Sequence, residues 1–455
     1  MEKKSKYTFY PGIFRKGRGE GEENNNDNNN NSSKNNKNNV LVDVDDWISE
    51  KKLTDGAEGL WRIHDKLYDL SDWISKHPGG KHWLEETKGT DITEAFECNH
   101  ISRKPEQILD KFYVKPAEIE RNCLITFEKK GFYKILKNKI IGRKLLDEKS
   151  CEPQFKTKML ADCLALTVFL TGLLGTMWKN HWFLLVSGIF LSMLTVCAHN
   201  FLHMKNNWRI YYFQLSLMSV REWRISHVLS HHIYPNSSSD LEVTMVDPFM
   251  NFLPKPNKLF PLSWVLSPFV MATMFHFQLL RRILKKTMMK KKKNLLLRQE
   301  EEIVVLALPL FLYIFSGQGI WTSLFAWNVI IVIGSLFFGL IGFSAAHHHP
   351  EIYHDGDYLG EDKDFGILQL AAVRNRRDVD GNFFFTMIMF GEHALHHLFP
   401  TIDHSQLYKL DQVLEETCRE FKLDFKPFVA KKLFLGMFQQ LARNYTNATL
   451  KLFPN

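Results

Sequence analysis

No Cys-x-x-Cys pair occurs in the 455 residues; the six cysteines, at 98, 123, 151, 163, 197 and 418, are scattered. That excludes a thiolate metal site and a secreted disulfide framework, and predicts a reduced chain facing the cytosol. The first residues, MEKKSKYTFYPG, lack the apolar core of a secretory signal, so membrane insertion must rest on internal segments. No internal repeat is visible, which excludes a repeat array. Charge of one sign is in small excess, +8 net. Its densest run, Arg281-Arg282 through Lys285-Lys286 to Lys290–Lys293, lies beside apolar segments. Next to a bilayer such a run marks the cytoplasmic face or binds anionic lipid, and no nucleic-acid partner is expected.

What is present is segregated along the chain. A mean hydropathy of −0.22 suggests a soluble protein, yet residues 159–198 and 303–346 are almost continuously apolar, whereas 1–150 are polar and charged. The 36 Phe and 11 Trp fit a chain that meets lipid. Residues 1–41, Asn-rich over 24–39, hold too little apolar surface to offset the entropy of ordering and are predicted disordered. Residues 42–118 make a compact unit with four tryptophans, 119–158 a basic linker, 159–435 a membrane domain and 436–455 a tail.

Met159–Trp178 and His181–Ala198 each approach the ~20 residues a helix needs to cross a bilayer, and Ile303–Phe315 with Ile320–Ala346 makes a second apolar pair. Leu259–Leu280 is apolar but interrupted by Pro261, Ser263, Ser267, Pro268 and His276. Counted as a span, it makes five crossings and separates the later histidine clusters onto opposite faces. Counted as interfacial or re-entrant, it leaves four crossings, all the histidines on one face and the basic run inside. Four crossings are expected.

Residues 76–80 read Lys-His-Pro-Gly-Gly, and His100 follows His77 by 23 positions. Two such histidines, each opening a loop, can hold one iron from opposite sides. Pro78 stiffens the turn, while Gly79 and Gly80 admit close approach of a flat cofactor. Iron ligated on both faces has no open position and moves electrons. The run from Trp61 to His100 resembles the cytochrome b5 haem-binding domain in Leu67-Tyr68-Asp69, His-Pro-Gly-Gly, Gly89-Thr90-Asp91-Ile92-Thr93 and Phe96. The resemblance implies an α+β domain binding heme b, with His77 and His100 as axial ligands and Leu84, Ile92 and Phe96 in the haem pocket. Asn99 stands where that family usually has Gly. His64 and His82 have no motif partner and are expected at the surface.

Three further clusters follow: His199 and His203; His227, His231 and His232; His393, His396 and His397. Pairs at i, i+4 lie on one helix face, so each cluster is expected to point to one centre. Eight buried imidazoles are costly unless they bind metal, and they are too many for a single ion.

The pattern HxxxH, HxxxHH, HxxHH resembles the membrane fatty acid desaturases, as do His231-His232-Ile-Tyr-Pro-Asn236 with Asp240 and Glu242, and Leu398-Phe399-Pro400. The fused haem domain is similar to that of the front-end desaturases and of the cytochrome b5-related proteins of insects. His393 stands where front-end enzymes usually have Gln.

The resemblance implies an all-α four-helix transmembrane desaturase-like domain holding two Fe ions. It also implies an endoplasmic reticulum membrane location, with haem domain and histidine boxes facing the cytosol. Electrons would come from an NADH-dependent cytochrome b5 reductase, and the substrate would be a fatty acyl lipid or acyl-CoA. In acyl-CoA desaturases a ligand follows Ser-Ala-Ala, which selects His347 as a ninth ligand here. Phe343 replaces an Asn of that family, with His348 and His354 as substitutes. A lipid hydroxylase and a membrane-held electron carrier with an inactive desaturase half are the alternative functions. Asp65, Asp69, Glu85, Glu86 and Asp91 either complement a basic reductase or form a solvated face. The glycosylation sequons at Asn236, Asn444 and Asn447 fall on the cytoplasmic side and are expected to carry no glycan.

Overall fold

The computed structural model describes residues 43–452 except 206, 248, 255–259, 289–302, 449 and 451. The tract 1–41 and Lys290–Lys293 lie outside the described residues.

Helix α1 (Val44–Thr54) begins where the Asp43 carboxylate accepts from the Asp45 N–H. A small antiparallel sheet follows in the order β1 (Trp61–Ile63), β2 (Lys66–Tyr68), β3 (Tyr113–Pro116), with Trp61 opposite Tyr68 and Leu67 opposite Lys115. Between β2 and β3 the chain inserts α2 (Lys81–Thr87) and α3 (Thr93–Asn99). Trp61, Ile63, Tyr68, Leu70, Leu84 and Leu109 form this unit's own core, against which Trp73, Ile92 and Phe96 pack. It is the α+β domain that the motifs implied.

The stretch 119–158 is not a loose tether. Within it α4 (Phe132–Gly142) buries Phe132, Tyr133 and Leu136 in the large second core. The Asp364 carboxylate accepts from the Tyr133 N–H and so fixes the start of α4. The C-terminus is likewise built in. Helix α10 (Ala430–Ala442) buries Leu433, Met437 and Leu441, and the Arg443 guanidinium makes a bidentate, fully buried pair with Asp357 at 3.0 Å.

The second unit is helical. Its long apolar helices are α5 (Phe155–Met177), α6 (His181–His203), α7 (Phe260–Met288) and α8 (Ile320–Phe343). Each contains a stretch long and apolar enough to cross a membrane, and among the described residues these are the four that do. The chain is a multi-pass membrane protein. The four are not the four expected, because α7 is continuous through Pro268 while the apolar run Ile303–Phe315 is shorter than a span.

Connectivity distinguishes these two. Trp264 of α7 donates to the Phe438 carbonyl of α10, and near the other end Arg282 donates to the Leu217 carbonyl at 2.7 Å. Both partners belong to the layer that carries the histidines, so α7 begins and ends beside that layer. Ile303–Leu306 packs on Trp208–Ser216 of the same layer, but Gln318, just beyond Phe315, reaches the Met177 carbonyl at the far end of α5. The short apolar run therefore reaches from that layer to the far end of α5, while both end regions of the longer α7 bond to that layer. Its basic end has protein partners: Arg281 pairs with Glu222 at 2.7 Å, and Lys285 with Asp43 and Asp45. These cations, read from sequence as lipid-facing, are engaged within the protein.

Helices α6 and α8 meet at small residues. A Cβ placed on Gly188 would lie 2.5 Å from the side chain of Ile333, so only Gly permits this approach. Gly188→Val is expected to destabilise the bundle by about 1–3 kcal/mol, read as a lower melting temperature in detergent with the haem absorbance unchanged.

Candidate metal centre and haem site

His77 and His100 face each other across the small domain with ring centroids 6.2 Å apart and rings nearly perpendicular. His77 Nδ1–H donates to the Gly80 carbonyl at 3.1 Å and His100 Nδ1–H to the Phe96 carbonyl at 2.9 Å. Both rings therefore keep Nε2 for a metal, the arrangement in which a backbone acceptor fixes tautomer and orientation. Burial pushes both imidazoles below their ordinary pKa, His100 to about 4. The neutral form needed for ligation is thus secured. A Cβ on Gly79 would come within 3.0 Å of the His77 ring, which explains the Gly after Pro78. Leu84, Ile92 and Phe96 lie in the adjoining apolar core, and the Phe96 ring is 4.8 Å from that of His100. The donor set and its apolar surroundings fit a haem.

Two residues assigned to the surface differ. His82 is buried, tilted against Trp83 at 4.6 Å, and His64 is half exposed but bonded to Glu97 at 2.9 Å. The acids of this domain also divide. Asp91 is buried against Arg121 and Thr93, Glu86 is held by Arg221, Asp69 binds the Ser71 N–H, and Glu85 pairs with Lys81. Asp65 keeps an exposed carboxylate.

In the helical unit nine imidazoles gather into two groups. His199, His203, His227, His232 and His396 form one; His231, His347, His393 and His397 form the other. In each group the ligand atoms lie within 4.8 Å of one another, and every member is buried. His347 thus joins the eight box histidines. His348 and His354 belong to neither group: His348 stacks on Phe252 at 3.6 Å, and His354 Nδ1 bonds the Ile352 carbonyl.

The division of the boxes departs from the expectation of one centre per cluster. Residues Arg224–His231 form a π-helix, whose wider turn places residues five apart on one face. His227 and His232 therefore share a group, and His231 turns to the other. In α9 (His393–Leu398), α-helical spacing keeps His393 with His397 and sends His396 to the five-membered group. Only the first cluster, His199 and His203 at i, i+4 on α6, stays whole.

The ring orientations are set from outside. Nδ1–H of His227 donates to Glu242 at 2.7 Å, that of His231 to Asp240 at 2.8 Å, and that of His397 to Gln369 at 3.0 Å. His347 and His393 donate to the carbonyls of Ala372 and Phe390. Their Nε2 atoms, with that of His232, face one another: His231 to His347 at 3.2 Å, His347 to His393 at 2.8 Å, His232 to His227 at 3.1 Å. Lone pairs so close repel unless a cation lies among them, and metal–imidazole bonds of about 2 Å suit such separations. Burial holds His232, His347, His393, His396 and His397 well below the ordinary imidazole pKa. His231 differs: burial lowers it, but Asp240 and Glu242 outweigh that and raise it to about 9. The residues fit a pair of imidazole-bound metal ions.

Sequence reasoning missed several contributors. His404 lies 4.1 Å from the His396 ring, its Nδ1–H donating to Asn200 at 2.7 Å. As a lone histidine it carries no spacing signal. Asn236, read as a sequon and as part of the stretch after the second box but given no role, is fully buried; its amide donates to the carbonyls of His347, Tyr353 and Ala372. It shapes the His347 loop and has no room for a glycan.

A cavity of about 390 Å³ opens beside both groups. His227, His231, His347 and His393 lie at its floor, and Trp223, Phe269, Phe277, Phe338, Phe343 and Phe390 are among its walls. Phe343, in place of an Asn, is thus part of an apolar wall. Asp240→Asn is expected to weaken metal binding by about 10–100-fold, measured as metal per chain after dialysis, with haem absorbance unaltered. His77→Ala should do the reverse, removing the haem spectrum while metal content stays.

Comparison with known proteins agrees with this division. The fatty acid desaturase family model matches residues 176–428, and that of the cytochrome b5-like heme/steroid binding domain matches 46–117. The cytochrome b5-related protein of Drosophila melanogaster is 38% identical over 412 residues, covering 89% of this chain and 93% of that protein. Acyl-lipid (8-3)-desaturase B of Dictyostelium discoideum is 23% identical over 80% of this chain and 86% of its own length. Acyl-lipid (9-3)-desaturase of Borago officinalis is 26% identical over 45% and 46%. No solved structure matches the chain. Paired histidine groups, apolar helices and a haem-type domain ahead of them are thus one inherited layout: the chain belongs to the fatty acid desaturase family and carries a cytochrome b5 domain at its front.

Proposed function

We propose that the chain is an acyl desaturase, introducing a double bond into a fatty acyl chain with O₂ and electrons relayed through its own haem domain. The observation that carries this reading is the cavity, whose apolar walls end on imidazoles of both groups. An acyl chain is the ligand such a cavity favours.

In this reading residues 42–118 bind heme b through His77 and His100, and the nine grouped histidines of the 159–435 domain hold two iron ions. Iron there, once reduced, would supply from O₂ the oxidant needed to remove two hydrogens from an unactivated chain. The protein supplies position and dryness. Phe338, Phe343 and Phe390 exclude water and hold the chain against the ligand floor. Glu242, Asp240 and Gln369 keep the imidazoles aimed. Two electrons are needed per double bond, and tethering the haem domain replaces a bimolecular encounter with an intramolecular one. A cytochrome b5 reductase using NADH is the upstream donor. The end contacts of α7 and of Ile303–Phe315 support four crossings; the membrane in this reading is that of the endoplasmic reticulum, with both cofactor sites on the cytosolic side.

The test is lipid profiling of yeast expressing wild type or His396→Ala and fed defined acyl chains. A new unsaturated product is expected with wild type alone. A product heavier by one oxygen would make the chain a hydroxylase, and no product beside a normal reducible haem would favour an electron carrier. The same microsomes should show no glycan on Asn444 or Asn447; glycan there would overturn the four-crossing topology.

A further inference from the structure

We infer that the haem domain is a fixed relay: it stays docked on the helical unit, receiving electrons on its His77 side and passing them on from its His100 side. This rests on the proposed function and adds where and how the electron crosses.

The seam is built as a permanent contact. Arg221 holds Glu86 of α2 through two bonds of 2.6 and 2.8 Å and also reaches Asp45 of α1 at 2.8 Å. Trp47 donates its indole N–H to the carbonyl of Ser239, the neighbour of Asp240 that orients His231. Val44, Trp47, Ile48 and Cys98 are buried in the core of the helical unit. Apolar burial combined with ion pairs makes release of the domain costly.

The domain is also polarised. Around His77, residues Ser75, Lys76, Pro78 and Lys81 are exposed and leave that side open to a donor. On the other side, the segment leading to His100 abuts the third histidine box. The Tyr133 hydroxyl lies 3.2 Å from the carbonyls of both Glu97 and Leu398, and Thr401 donates to the Asn99 carbonyl at 3.1 Å. Asn99 precedes His100, and Leu398 follows His397. Tyr133 thus links the Glu97 carbonyl, three residues before one haem ligand, to the Leu398 carbonyl, one residue after a metal-site ligand, and Thr401, four residues beyond His397, holds the Asn99–His100 peptide. Electron transfer falls steeply with distance, and a route through bonds is favoured over one through space. With haem held by His77 and His100 and metal by the grouped histidines, each electron would enter from the reductase by reduction of ferric to ferrous haem and leave to the metal pair by the reverse change. Two such passages serve one double bond.

The experiment uses the full chain in detergent. Glu86→Cys and Arg221→Cys, in a Cys163→Ser background, are bridged by a short bis-maleimide to lock the docked state. The haem is reduced with NADH and reductase, and its re-oxidation by O₂ is followed by absorbance. The locked protein is expected to accept and release electrons as fast as the unbridged one. If locking blocks either step, the domain must move and the relay is overturned. Tyr133→Phe with Thr401→Val should slow re-oxidation while reduction and the haem spectrum stay unchanged; no slowing would overturn the route. Independently of metal loading, amide hydrogens of Cys98–His100 should exchange slowly, and fast exchange would overturn permanent docking. Should unbridged wild type never re-oxidise its haem faster than a His231→Ala variant, the desaturase reading itself fails, and the relay with it.

Discussion

Nine imidazoles with their bare nitrogens turned toward one another form an arrangement that a protein interior cannot hold for its own sake. The Nε2 atoms of His347 and His393 aim lone pairs at each other, and burial denies them the relief of protonation. Only cations placed among them make the arrangement favourable. Much of the helical unit is arranged around that requirement. The ends of α6 and α8, the π-helix and α9 each deliver imidazoles to one small volume, and the Asn236 turn holds the His347 loop there.

The supporting contacts are as demanding as the ligands. Asp240 and Glu242 come from the turn after the second box, Gln369 from the helix Phe365–Ala372, and the Ala372 carbonyl from that helix's end. These groups choose the tautomer, so a ring that could rotate instead presents a single nitrogen. The π-helical register has a comparable effect at the level of the backbone, dividing one sequence motif between two centres.

Membrane crossing shows that length and composition are weak guides taken alone. Helix α7 is long and apolar, yet both of its ends bond to the histidine layer, and its basic residues are satisfied by Glu222, Asp43 and Asp45. Its face toward the cavity supplies Phe269 and Phe277, a use of apolar side chains besides facing lipid. The run Ile303–Phe315 is short but is prolonged by its connections at both ends. Docking of the haem domain follows the same logic, since α1 and α4 bury side chains that a loose linker would have left in water.

Much was legible in the residues themselves. His77 and His100, the three boxes and His347 stand out because metal chemistry tolerates few substitutes and imposes local spacing; the two-part layout followed from hydropathy. Spacing carries information only along a single helix, however, and a motif cannot reveal that its helix is π rather than α. That is why the split of His227 from His231, and of His396 from His393 and His397, belongs to tertiary structure. His404 gains its place from contacts across the fold with no local pattern to announce it, and the role of Asn236, though it stands in a recognisable motif, is likewise set by distant carbonyls. The acids Glu86 and Asp91 looked like surface charge until Arg221 and Arg121 came opposite. Sequence determines which chemistry is available, because side chains carry it; the fold decides which atoms meet, because only packing brings distant segments within bonding distance.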